Sequence, residues 1–529
     1  MKKMEGRKIL EAMEERIVRT ILQYFNRDKQ EQTILLLVAV VLITVFSACS
    51  PLYPLNPWDD ADVFMTVGKS LLSGKLMYRD VIDQKGPMLH LLHQFAAMVS
   101  YTSFFGIYLV ECICMYFYLR YGLKIMRLFS NSNICLPLMC LTGFMTVTSD
   151  CFYYGDSVEE FCLPMLTQCL YYMLVYIKEE RFPSHVQAIV VGLEAGVIFW
   201  MKFNIMLFYL GGFIVLAFIA YRRAEVKRLL RTVTWIVLGL IFVTAIIIAY
   251  FVFHHTLQDL YQAYFYNNLF LYNGASSTGE PNTWWFPLLK LTIWVILMLP
   301  VLLSKVRWEI KTLVSATYGM ILLTYATLTV QLYYFVLLFA FSPLIIYYFR
   351  HVILSCKVIC IMLAIVIWQT TFNWNIVTLM MGTFPTNILT MTDIVNKNHS
   401  DDSCILTYSS YDTGIYLKSR QLPPNSQFYI PNYKSDVIRQ EQRRWVESGK
   451  VKYLVRWIGA VKTTHEYYDV PIPSNYHLIY EGQENYRYRF YTTPAKYLWN
   501  LVWTRPIMSS LNITPQVEPQ LMLLYERRP

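Results

Sequence analysis

Asn-Pro-Trp-Asp-Asp-Ala-Asp at residues 56–62, followed by Tyr-Arg-Asp-Val-Ile-Asp-Gln-Lys-Gly-Pro at residues 78–87, decides how this chain is read. The carboxylates Asp59, Asp60, Asp62, Asp80 and Asp83 and the cations Lys75, Arg79 and Lys85 crowd one loop, and most of the next two hundred residues are apolar. A loop that only joined two helices would not need this chemistry. A loop that activates a hydroxyl beside a phosphate-bearing lipid would: a base removes the proton as the new bond forms, and cations hold the charge that develops on a departing phosphate. The plain alternative is a solvated loop whose acids and bases pair locally.

Working outward, the chain has 529 residues, 55% hydrophobic and 16% aromatic, with only 16% charged. Apolar runs of roughly 17–25 residues, the length that crosses a bilayer, recur along it. These features predict a polytopic α-helical membrane protein rather than a large soluble core. The net charge of +10 sits largely in short Lys/Arg clusters between apolar runs. That is the pattern of cytoplasmic loops and sets nucleic-acid binding aside. Of the eleven cysteines, only Cys404 lies in the polar C-terminal region, and no Cys-x-x-Cys pair exists. Zinc ribbons and redox dithiols therefore have no support.

The alternation of basic clusters predicts about eleven spans with a cytoplasmic N-terminus. Residues 1–32 read as an amphipathic segment on the cytoplasmic surface, with Ile9, Met13, Ile17, Ile21 and Tyr24 at helical spacing, or as a solvated leader helix. So long a polar leader is not a cleavable signal peptide. The spanning domain covers 33–372. Its first span is expected at 33–50, and its first external loop, 51–101, carries the acids and ends at 88–101 in a short interfacial helix, with a short span as the alternative. Later spans are expected at 103–119, 134–148, 232–253 and 358–372, with Lys202 at the outer end between spans five and six. Residues 373–529 then lie outside. Strands at 404–408, 452–457 and 477–480 and a helix at 437–448 predict a small extracytoplasmic α/β domain there.

Further constellations lie beyond the first loop. In Lys85-Gly86-Pro87, glycine permits close approach, proline stiffens the turn, and lysine can meet a phosphate as a point charge. Glu159 and Glu160 begin the fourth span, either as plain first-turn residues favoured by the helix dipole or as a second acidic element facing the loop. Lys202 is a cation among apolar residues, where charge is costly and usually functional, with snorkelling to the surface as the alternative. Adjacent His254 and His255 cannot face one way on a helix, so they make no metal pair. Tyr264, Tyr266, Asn267, Asn268, Tyr272, Trp284 and Trp285 enrich the following loop in groups that stack on sugars and also populate interfacial belts.

The acidic cluster, Gly-Lys-Leu-Met-Tyr-Arg-Asp (74–80) and Asp-Gln-Lys-Gly-Pro (83–87) together resemble the first loop of bacterial GT-C glycosyltransferases related to protein O-mannosyltransferases and aminoarabinose transferases. Glu-Glu-Phe-x-x-Pro at 159–164 and Lys-x-Asn at 202–204 are similar to later motifs of that group. The resemblance implies a GT-C-like inverting transferase in the bacterial cytoplasmic membrane, with its site on the external face. Its donor would be a polyprenyl-phosphate-linked sugar, and its acceptor an envelope glycan, lipid or protein. It puts the first-loop catalytic carboxylate on Asp60, with Asp59 competing. The donor phosphate falls to Lys85, assisted by Arg79 or Lys202, and the second acidic element to Glu160 or Glu159. Asp59-Asp60 replaces the Asp-Glu pair of the protein mannosyltransferases. This leaves the acceptor and any use of a divalent cation open. From another class, a transporter or flippase of a lipid-linked saccharide would place polar groups within several spans and show two related halves. Here the ionisable groups gather at outer ends and no halves repeat. A non-catalytic envelope assembly protein would find its loop acids individually dispensable.

Overall fold

Hydrocarbon offers no water to backbone N–H and C=O groups, so apolar segments of this length fold as helices that satisfy themselves internally. The structure, a computed structural model, describes residues 27–271, 295–326, 332–353, 386–397, 471–484 and 520–528, most of 404–458, and isolated positions between 370 and 379. The helices are α1 (Arg27–Phe46), α2 (Asp59–Leu72), α3 (Pro87–Val99), α4 (Phe105–Phe129), α5 (Cys135–Thr148), α6 (Val158–Glu179), α7 (His185–Met201), α8 (Leu207–Arg222) and α9 (Val226–Phe253). They are followed by α10 (Trp308–Ala326), α11 (Ser342–Ile353), α12 (Thr386–Lys397), the single turn α13 (Ile415–Lys418) and α14 (Asp436–Glu447).

Among the described residues, five helical segments are long and apolar enough to cross a membrane: α1, α6, Phe203–Arg222, α9 and Tyr333–Arg350. α5 and α7 are shorter apolar helices. α6 is the hub, with 83% of its apolar window buried inside the protein, against 22% for α9, which turns most of its surface outward. α7 and α9 pack on each other through glycines. A Cβ at Gly192 would lie 2.0 Å from the Ile236 carbonyl oxygen, and one at Gly239 would lie 2.5 Å from that of Ile189. Small residues let membrane helices approach this closely.

The first loop folds into α2 and α3. Pro87 opens α3 at its first position, where no N–H is needed. At 13 residues, α3 is the short helix expected at 88–101 rather than a span. Two sequence expectations shift. Residues 27–32, assigned to the amphipathic segment, extend α1, where Glu31 pairs with Arg127 of α4. The loop after α9 begins as the helical turn Leu257–Leu260 and a π-helical stretch, Tyr261–Leu271. Residues 1–26, most of the expected 358–372 span, and Tyr272, Trp284 and Trp285 lie outside the described residues.

The C-terminal region is the expected α/β unit, with one strand more than the sequence reading found. β1 (Ile405–Thr407), β2 (Tyr453–Ile458), β3 (Tyr476–Glu484) and β4 (Gln520–Arg527) form one sheet in the order β1-β2-β4-β3. β1 and β2 run parallel, with α14 in the crossover between them, as parallel neighbours require. Alternate side chains serve two cores. Ile405, Tyr453, Val455, Met522 and Leu524 join the cluster that continues into the helical body. Leu406, Leu454 and Tyr476 join Tyr408, Val446 and Val451 in a second, smaller cluster. The sheet is therefore not a free appendage; it shares its core with the helices.

Gly192→Ala is expected to lower the thermal midpoint in detergent, because overpacking costs about 1–3 kcal/mol. Gly319→Ala, where a Cβ meets nothing within 4 Å, should leave it unchanged. Equal midpoints for both variants would contradict the close α7–α9 packing.

Candidate active site

Asp59, Asp60 and Asp62 occupy the first turn of α2, where the helix dipole favours negative charge. The entry to that turn is set by Asn56, whose Oδ1 accepts the Trp58 N–H at 3.0 Å. The Trp58 ring packs on Phe64, Tyr153 and Tyr333, with centroids 6.1, 5.6 and 5.1 Å away.

Asp83 shapes the lysine turn. Its Oδ1 accepts the Gln84 N–H at 2.7 Å and the Tyr429 hydroxyl at 2.9 Å, and its Oδ2 accepts the Lys85 N–H at 3.3 Å. The Tyr78 hydroxyl donates to the Lys85 carbonyl at 2.6 Å, and Asn268 Nδ2 donates to the Gln84 carbonyl at 2.7 Å. Gly86 then lies flat against the end of α7. Its N–H donates to the Met201 carbonyl at 3.2 Å, and a Cβ there would lie 1.9 Å from the Trp200 carbonyl oxygen. Glycine is required at this contact because no side chain fits.

That contact brings two lysine–carboxylate pairs together. Lys85 Nζ lies 3.6 Å from Asp60 Oδ2, with side chains 16% and 21% exposed. Lys202, the residue that ends α7, donates to Glu159 Oε1 at 2.5 Å and lies 4.0 Å from the centre of the Tyr334 ring. Burial raises the Asp60 carboxyl above its usual range; Lys85 opposes this, while Asp83 and Asp59 add to it. Burial lowers the Lys202 ammonium; Glu159 opposes this, while Lys85 lowers it further. Two ammonium groups that repel each other in a partly shielded recess favour an anion placed between them.

The two adjacent glutamates part company. Glu159 faces Lys202. Glu160 is buried on the inner side of α6, and neither carboxyl oxygen has a hydrogen-bond partner among the described residues. Beside it runs a buried polar network that the sequence reading did not assemble. Glu111 Oε2 accepts the Ser47 hydroxyl at 2.6 Å, and its Oε1 accepts the Asp156 N–H at 2.8 Å. Asp156 Oδ1 lies 2.9 Å from His93 Nε2, and His93 Nδ1 lies 2.9 Å from the Leu89 carbonyl. A carbonyl only accepts, so Nδ1 carries a proton, and the Nε2–Asp156 contact shares another. One turn earlier on α3, His90 lies 3.4 Å from Asp83, and burial pushes its imidazole down to about 4, so it is neutral at neutral pH.

The other candidates fall outside this arrangement. Arg79 is half exposed and pairs with its neighbour Asp80 at 3.3 Å rather than joining Lys85. Tyr264 is buried, with its hydroxyl donating to the Phe199 carbonyl. Among the described residues no group of three or more His, Cys, Asp or Glu side chains could hold a metal ion.

The helical body thus lays an acid-bearing short helix and a lysine turn beside a small α/β domain. Among solved structures, the fold is similar to the crystal structure of ArnT from Cupriavidus metallidurans bound to undecaprenyl phosphate, with a TM-score of 0.56 and 9% sequence identity over 85% of this chain and 96% of that one. No family model matches the sequence, and no curated protein matches it.

His93→Leu leaves Asp156 buried without its partner. Breaking such a pair costs about 3–5 kcal/mol, so the variant should unfold at a markedly lower temperature. His93→Leu/Asp156→Leu should recover part of the loss. A single variant as stable as the parent would refute the His93–Asp156 hydrogen bond.

Proposed function

We propose that this chain is an inverting glycosyltransferase that moves a sugar from a polyprenyl-phosphate donor to a cell-envelope glycan, lipid or protein. The observation that carries the reading is the juxtaposition of Lys85–Asp60 with Lys202–Glu159, in a fold whose structural neighbour holds undecaprenyl phosphate. In this mechanism Asp60 takes the proton of the acceptor hydroxyl. The new C–O bond forms as the bond from the anomeric carbon to the phosphate oxygen breaks, with inversion. Polyprenyl phosphate departs, and Lys85 and Lys202 hold its added charge. Glu159 keeps Lys202 aimed into the recess. Tyr153 and Tyr333, half-buried beside Trp58, are the aromatic surfaces on which a sugar would stack. The first loop contacts residues 412–429, so both belong to one face of the protein, and the distribution of basic clusters assigns that face to the outside. The membrane would be the bacterial cytoplasmic membrane.

Asp60→Asn is expected to leave expression and donor binding intact while lowering turnover by about 10²–10⁴-fold. Normal turnover there, with loss in Asp59→Asn, would move the base to Asp59. Normal turnover in both would remove the proposal.

The pH profile offers a second check. The base acts only when ionised, so activity falls as pH drops through its pKa. Burial raises Asp60, which places that limb above the ordinary aspartate value of about 3.9. Lys85 works against the rise, so Lys85→Met should move the acid limb of kcat to higher pH. A limb that stays in place or moves lower would show that Asp60 is not the titrating base.

A further inference from the structure

The sheet domain grips the first loop at several points. Thr66 Oγ1 donates to Asp412 Oδ2 at 2.8 Å. Lys69, fully buried in α2, donates to the carbonyls of Tyr416, Leu417 and Ser419 at 2.5, 2.9 and 3.4 Å, around the end of α13. Lys75 Nζ donates to the Pro423 carbonyl, and the Ile82 N–H donates to the Ser426 carbonyl at 3.3 Å. These bonds hold the domain on the loop. The Tyr429–Asp83 bond ends differently, on the carboxylate that itself collects the N–H groups of Gln84 and Lys85.

We propose that the C-terminal domain completes the donor site, with Tyr429 as a positioning residue that holds Lys85 through Asp83. This rests on the reading of Lys85 as the phosphate-binding residue. Asp83 is 5% exposed, and its carboxylate can meet both backbone N–H groups only in one orientation of its side chain. The Tyr429 hydroxyl fixes that orientation from outside the loop. The Lys85 carbonyl is held by Tyr78, and Asn268 holds the Gln84 carbonyl, so the turn is pinned on its acceptor side by the helical body and on its donor side by the sheet domain. The ammonium then meets Asp60 and an incoming phosphate from a defined position. With the hydroxyl gone, Asp83 would turn toward His90, already 3.4 Å away, and release the turn.

Tyr429→Phe removes only that hydroxyl and keeps the ring beside Phe428, 4.8 Å between centroids. Binding of undecaprenyl phosphate to the full chain in lipid nanodiscs is the readout, for the parent, Tyr429→Phe, Lys85→Ala and the double variant. Tyr429→Phe is expected to weaken binding roughly 10- to 100-fold, the size expected for one hydrogen bond to a charged group. In the Lys85→Ala background the same change should have no further effect, because the residue through which Tyr429 acts is gone. Parent-like binding by Tyr429→Phe overturns the inference. So does a loss of equal size in both backgrounds, which would mark a general structural role. If Lys85→Ala itself binds as the parent does, the reading of the site fails and takes this inference with it. Should Tyr429→Phe fold poorly, Asp83→Asn must show the same non-additivity with Lys85→Ala for the inference to stand.

Discussion

Everything at this site depends on a backbone contact between Gly86 and the last turn of α7. There is room for a hydrogen atom and none for a methyl group. The contact fixes where the first loop meets the bundle, and therefore how far Lys85 stands from Lys202. Each lysine then keeps its own carboxylate, Asp60 on α2 and Glu159 on α6. The two pairs draw on α2, α6, the end of α7 and the lysine turn. Each ammonium feels the other, and Lys85 adds to the burial that lowers Lys202. The acid beside Lys85 is buried enough to be a stronger base than a surface aspartate, yet not so buried that it loses contact with solvent.

How much of this could be read from the residues depends on which physical signal each one carries. The acids of the first loop and Lys85 stand out because ionisable groups are expensive beside a membrane and cluster there for a reason. The strand–helix–strand run of the C-terminal domain was legible from run lengths. Glu159 and Glu160 were not separable. Consecutive residues on a helix point about 100° apart, and only the neighbouring helices decide which one meets Lys202. Arg79 is six positions from Lys85, but its direction follows from the turn at Tyr78, which has a positive φ of 65°. Lys69 gave no signal because its partners are main-chain carbonyls up to 350 residues away. β4 escaped because Leu521–Leu524 is a short apolar run without the polar alternation that marks a half-buried strand.

The buried polar network behind the site has a different character. His93, Asp156, Glu111 and Ser47 come from α3, the loop before α6, α4 and the turn after α1, so each bond joins a different pair of segments. Such bonds are costly to break and allow few alternative arrangements. They set the height at which α6 begins, helped by Ser157, whose side chain accepts the Glu160 N–H. Glu159 stands in that same first turn of α6, opposite Lys202.

The placement of β4 bears on how the protein is made. β4 is the last of the four strands in sequence, yet it pairs between β2 and β3 rather than at an edge. A ribosome delivers the acids of α2 and both lysines long before it delivers residues 520–527. Until those residues arrive, β2 and β3 lack their common neighbour, and the core shared with the helical body lacks Met522 and Leu524. A half-made chain thus carries all of the charged groups of the recess, but not the sheet whose assembly depends on β4. Maturation of the protein is in this sense timed by its topology, with translation order setting when the sheet can be completed.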